Sequence, residues 1–108
     1  MSQNTAIPPV SVLRPAQGAL PIVIDSPHSG TAYPADFGYS APFELLRRGE
    51  DLYVDRLYAN APTHGASFVA AHFPRAYIDP NRVLADIDEA LLDAPWPGEV
   101  ATGPKTKL

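Results

Sequence analysis

The stretch 20-LPIVIDSPHSG-30 sets the reading of this chain. A continuous apolar run, Leu20 to Ile24, breaks abruptly into Asp25-Ser26-Pro27-His28-Ser29-Gly30. A short apolar run bounded by turn residues reads as a buried strand, most naturally in a parallel sheet. His28 then stands on a stiff turn just past the strand end. Ser29 beside it reads as a turn residue rather than a nucleophile, because sequence neighbours do not form a dyad.

Working outward, residues 1–18 are polar and Pro-rich and predict an extended or poorly ordered lead-in to an α/β unit spanning 19–108. After the strand, residues 26–40 read as a long loop. "APFELLRRG" (41–49) predicts a short helix, with Pro42 near its first turn and Gly49 as its stop. In "EDLYVDRLYANAPTHG" (50–65), Val54, Leu57, Tyr58 and Ala61 fall at i, i+3, i+4 and i+7, the stripe of an amphipathic helix. Glu50, Asp51 and Asp55 sit near its start, where the helix dipole favours negative charge. "ASFVAAHF" (66–73) predicts a second strand, and residues 75–79 its continuation or a third. A further short helix is expected around 87–92.

Strand, loop, helix, strand gives an α/β class with a parallel or mixed sheet and flanking helices. Such sheets bind ligands beyond the carboxyl ends of their strands. The His28 loop and the Arg75–Arg82 segment are therefore expected at one edge.

Composition narrows the chemistry. The chain has 108 residues, 45% hydrophobic and 19% charged, enough for one small domain with a core. Its net charge of -4 argues against a nucleic-acid partner. No apolar stretch has the length of a membrane span, so no membrane partner is expected. The N-terminus lacks the basic start and apolar block of a secretory signal. With no cysteine, disulfides, thiolate metal sites and cysteine catalysis are excluded, and a cytoplasmic location is expected. Thirteen prolines, well above the roughly 5% of average usage, punctuate short elements without repeating.

Three groups of residues suit chemistry. His28 can bind a divalent metal or move protons, or simply be a hydrogen-bonded loop residue. Glu50 and Asp51 can cap or complement a helix, or point a carboxylate toward the strand edge as a second metal ligand. In "PRAYIDPNR" (74–82), Arg75 and Arg82 offer planar forks suited to a carboxylate, and Asn81 can hydrogen-bond one. Asp79 can orient an arginine, and the competing reading is an internal Arg–Asp pair with Asn81 in a turn. His64 and His72 suit structural roles.

Taken together, "SPHSGTAYP", "EDLYVDRLY", "GASFVAAHFPRAYIDPNR" and "DIDEALL" resemble, in order and spacing, the start of the N-formylglutamate amidohydrolase (deformylase) family. The resemblance covers roughly residues 20–95. It implies hydrolysis of N-formyl-L-glutamate to formate and L-glutamate, a late step of bacterial histidine degradation. It also implies a fold related to metal-dependent exopeptidases and aspartoacylase-like deacylases. By that resemblance His28 and Asp51, with Glu50 the alternative, would hold a divalent metal, zinc foremost. Asn81 and Arg82 would receive the substrate carboxylate, with Arg75 an additional contact. The relatives keep their His and carboxylate ligands close in sequence, whereas His28 and Glu50 lie 22 positions apart here. Family members are longer, so the chain is expected to be an incomplete N-terminal piece, inactive alone, with the general base and remaining metal ligands beyond residue 108. A deacylase for another N-acyl amino acid and a non-catalytic carboxylate-binding module are the alternatives. Oligomeric state is open.

Overall fold

The computed structural model describes residues 6–106. The first five residues of the expected lead-in, and Lys107-Leu108 at the other end, lie outside the described residues. Three strands form a mixed sheet: β1 (Val10–Leu13), β2 (Val23–Ser26) and β3 (Ser67–Ala71). β3 is central, antiparallel to β1 and parallel to β2. Two short helices, α1 (Phe43–Arg47) and α2 (Val54–Leu57), lie between β2 and β3. Three-residue and four-residue 3-10 turns follow at Glu89–Leu91 and Ala61–His64.

The parallel β2–β3 pair with its intervening helices is the crossover unit expected from the sequence. Its register sets Ile24 against Phe68 and Ser26 against Ala70. Phe68 and Ala70 are buried with Ala61 and Ala66, and Ile24 packs against them. This small core is what fixes the strand ends that carry the polar loops.

Several expectations are corrected. Part of the lead-in is not loose: Val10–Leu13 pairs residue by residue with Phe68–Ala71 along β3's second edge. β2 is an edge strand rather than a buried one, with Val23 68% exposed. The long helix expected over 50–65 shrinks to four residues. Tyr53, its N-cap, adopts a left-handed backbone (φ 68°), which stops the helix from extending back to Glu50. Its apolar stripe also finds little to bury against, Leu57 being 77% exposed, so packing does not reward helix propagation. Residues 75–77 form a turn and 78–79 no regular element, so the expected strand over 75–79 is absent. The expected helix near 87–92 is the single 3-10 turn, whose N-cap Asp88 accepts from the Ala90 amide. α1 forms as expected, with Pro42 as N-cap.

One close approach holds the His28 loop to the sheet. The Ala32 amide donates to the His72 carbonyl at 2.8 Å, laying the loop across the end of β3. A Cβ on Gly30 would stand 2.2 Å from the Phe73 carbonyl oxygen and 2.5 Å from the His72 carbonyl carbon. Both are backbone atoms that cannot swing aside, so only glycine fits. Gly30→Ala is expected to lower stability by about 1–3 kcal/mol, the range for overpacking. A melting temperature equal to that of the unsubstituted protein would show that the loop does not lie this close.

Candidate active site

β2 and β3 run parallel, so the segments leaving their carboxyl ends arrive together. His28 is two residues beyond Ser26, the last residue of β2. The turn is pinned beneath by a hydrogen bond between the buried hydroxyls of Ser26 and Ser29 at 2.6 Å. This gives Ser29 the structural role its position suggested. Beyond β3, Pro74 is fully buried and anchors the start of the Arg75–Arg82 segment. The lead into α2 joins them when the Asp51 amide donates to the His28 carbonyl at 2.8 Å. His28, Asp51 and the arginine segment therefore meet at one edge, as the topology predicts.

Asp79 sits at the centre. Its Oδ1 lies 2.7 Å from His28 Nε2 and accepts the Asn81 backbone N–H at 2.9 Å. Its Oδ2 accepts from Arg75 Nη2 at 3.1 Å and lies 3.8 Å from Arg82 Nε. Burial pushes the Asp79 carboxyl up, but the hydrogen bonds from His28 and the Asn81 amide, with the charges of His28 and Arg75, outweigh it and hold the pKa below its ordinary value. The carboxylate is therefore ionised and carries no proton, so the imidazole N–H must be the donor. In neutral His28 that places the proton on Nε2 and leaves the lone pair on Nδ1. Nδ1 is the nitrogen that faces Asp51, 3.7 Å from its Oδ2.

The two carboxylates at the start of the α2 region have different surroundings. Glu50's side chain is 1% exposed and fully engaged. It accepts the Tyr33 hydroxyl at 2.6 Å and Arg47 Nε at 3.1 Å. Burial, followed by the Glu50 hydrogen bond and charge, pushes the Tyr33 phenol up to about 12. Asp51's side chain is 56% exposed and meets only His28 at ion-pair distance among the described residues. His28 Nδ1 and Asp51 thus offer two donors close enough to share one divalent ion, and imidazole with carboxylate is a donor set that suits zinc. Among the described residues there is no group of three or more potential ligands. The fit is that of part of a coordination shell.

Beside these residues lies an open cavity of about 320 Å³, lined by Gly49, Arg75, Ala76, Asp79, Arg82, Asp86 and Thr106. Arg75 and Arg82 thus share a wall. Asn81 contributes its amide to Asp79, but its side chain is exposed and does not line the cavity. The internal Arg–Asp pair weighed against a binding role for Arg75 is present, and Arg75 lines the cavity as well. Arg82 also pairs with Asp86 (3.3 Å) and donates to the Lys105 carbonyl (3.1 Å). His72 is half-buried and bonded to Ser11, and His64 is exposed at the end of its 3-10 turn, so both stay apart from the site.

From the local pattern Asp79 is expected only beside an arginine. Its bond to His28 spans 51 positions and follows from the parallel strand pairing, which no local pattern encodes. Asp86 and Thr106 were not singled out. The four-residue spacing of Arg82 and Asp86 was the available signal, but the segment is irregular rather than helical, so the spacing alone carried little.

A lowered Asp79 pKa stabilises the fold above the ordinary carboxylate pKa and ceases to do so as pH falls through the lowered value. Asp79→Asn is therefore expected to melt below the unsubstituted protein at pH 7. The gap should close as pH drops below 3.8, the ordinary value. Melting curves from pH 7 to 3 measure this, and a gap independent of pH would contradict the ionised role of Asp79.

Comparison with known proteins identifies the family. Residues 20–106 match the family described as N-formylglutamate amidohydrolase. Among solved structures the chain is similar to the crystal structure of N-formylglutamate amidohydrolase from Ralstonia eutropha JMP134. The two are 55% identical with a TM-score of 0.86, over 94% of this chain and 36% of that one, so the chain spans well under half of that neighbour's length. No curated protein matches. No helix among the described residues is long and apolar enough to cross a membrane. With 87 consecutive residues matched and a site of His28, Asp51, Asp79 and two arginines at one sheet edge, the chain belongs to the N-formylglutamate amidohydrolase family.

Proposed function

We propose that this chain supplies the substrate-carboxylate site and part of the metal site of an enzyme that hydrolyses N-formyl-L-glutamate to formate and L-glutamate. The observation that carries the reading is the Asp79 carboxylate, which joins His28 to both arginines of the cavity. It couples an amide-cleaving centre to a carboxylate-binding wall at a fixed spacing. By family, the enzyme would serve histidine degradation in the cytoplasm, with a small molecule as its partner.

His28, through Nδ1, and Asp51 would hold a divalent ion, zinc foremost. Glu50 is the weaker choice because Tyr33 and Arg47 already occupy its carboxylate. When bound, such an ion lowers the pKa of a water and polarises the formyl carbonyl. The remaining ligands and the general base would come from the part of the family's length that these residues do not span. A relation to aspartoacylase-like deacylases follows from the family resemblance, and the mixed sheet is its support here.

The residues present carry the other half of the work. Asp79 holds His28 in one tautomer and one orientation, which keeps its lone pair toward Asp51. Arg82 and Arg75 bind a glutamate carboxylate at the cavity wall and so fix the formyl amide relative to His28. The cavity, about 320 Å³, is of a size for a small amino-acid derivative. Asn81 would join the carboxylate site by turning its exposed side chain toward it.

The test uses the full-length protein, with metal content measured beside formate release. His28→Ala and Asp51→Ala are expected to lose bound metal and formate release together. Arg82→Ala is expected to keep its metal and raise KM about tenfold or more, the loss of one charged hydrogen bond. Glu50→Gln should keep its metal. Metal retained in both His28→Ala and Asp51→Ala would overturn the ligand assignment. Faster turnover of N-acetyl- than of N-formyl-L-glutamate would assign the site to another acyl group. Glutamate binding with neither metal nor formate release would make it a carboxylate-binding module.

A further inference from the structure

Arg82 is the cavity residue with the most elaborate support, and that support comes from residues with no assigned part in the reaction. Its Nη1 donates to Asp86 Oδ2 at 3.3 Å and to the Lys105 carbonyl at 3.1 Å. The other Asp86 oxygen accepts the Thr106 hydroxyl. The Thr106 hydroxyl oxygen in turn accepts the Gly103 amide at 2.8 Å. The Ala101 amide donates to the Ala85 carbonyl at 2.7 Å, which ties residues 101–106 to the turn that carries Asp86. Asp86's side chain is only 14% exposed. Asp86 and Thr106 both line the cavity that Arg75 and Arg82 share.

We propose that Asp86, locked by the Thr106 hydroxyl, is the positioning residue that holds the Arg82 guanidinium in place to receive the substrate carboxylate. This rests on the reading of Arg82 as a carboxylate contact. An unrestrained arginine samples many rotamers, and a ligand must then pay to order it. Here Asp79 flanks the Nε side and Asp86 takes Nη1. Among the described residues the remaining nitrogen, Nη2, donates to nothing. The two aspartates thus meet the guanidinium on different edges, and Nη2, which lies between Nε and Nη1 on its perimeter, stays available for a ligand oxygen. Thr106 matters because a carboxylate anchored at both oxygens cannot rotate away with the arginine.

Two measurements on the full-length protein test this. The first is nitrogen-15 NMR of the arginine side chains, with Arg82→Lys assigning the signal. Distinct, slowly exchanging Nη1 and Nη2 signals are expected for Arg82, merging into one averaged signal in Asp86→Ala. The second is kinetics with N-formyl-L-glutamate. Asp86→Ala is expected to raise KM about tenfold with kcat and metal content held, a size typical of removing an orienting partner. Thr106→Val should give a smaller rise of about threefold, by the same reasoning. Thr106→Ser, which keeps the hydroxyl, should restore most of that loss. Thr106→Val also covers the case in which Asp86→Ala fails to fold, since it removes the lock without leaving a buried charge unpaired. Averaged Arg82 signals in the unsubstituted protein would overturn the proposal. So would an unchanged or lowered KM in Asp86→Ala, the lowered value meaning that Asp86 competes with substrate. Absence of formate release by the unsubstituted protein would instead defeat the functional reading, and the NMR result would then decide the positioning role alone.

Discussion

The Asp79 carboxylate is where the site is decided. One oxygen takes the His28 imidazole and the Asn81 amide, and the other takes Arg75 and faces Arg82. Burial alone pushes the pKa of such a carboxyl up. With them it stays ionised, and an ionised acceptor imposes a donor on His28 Nε2. The lone pair of Nδ1 then has one direction left, toward Asp51. A single charge thereby sets the tautomer of the candidate metal ligand and the spacing between that ligand and the arginines. Removing it would free all of them at once.

The fold exists, in this respect, to bring Asp79 under His28. Parallel pairing of β2 with β3 puts both strand ends at one edge, and the Phe68 core fixes the register. Gly30 lets the His28 loop lie against the His72–Phe73 backbone, and buried Pro74 sets where the arginine segment departs. The Asp51 amide then closes onto the His28 carbonyl. Each is a local constraint of backbone geometry. Together they position the three side chains at one edge.

What was legible in the sequence follows from the range of each interaction. The apolar runs at 20–24 and 66–71, separated by a crossover's length, carried the strands and their shared edge. The Arg75–Arg82 cluster is local, so its placement at that edge was legible too. Glu50 and Asp51, adjacent in sequence, stayed alternatives because only the partners separate them. Tyr33, which claims Glu50, lies 17 residues away. The pairing of β1 was hidden because β1 is a four-residue strand in a Pro-rich stretch, and its partner is set by β3's free edge. Periodicity predicts a helix over 50–65, but a stripe such as Val54–Leu57–Tyr58 specifies a helix only where something covers it. The Asp79–His28 bond was illegible for the most basic reason: it is a property of strand pairing, not of either segment.

The most direct test of the account is the tautomer of His28, read from two-bond nitrogen–proton couplings in an imidazole-labelled sample of the metal-free protein at pH 8. Nε2–H with an unprotonated Nδ1 is expected, with loss of that fixed tautomer in Asp79→Ala. A proton on Nδ1, or a tautomer unchanged by Asp79→Ala, would contradict it.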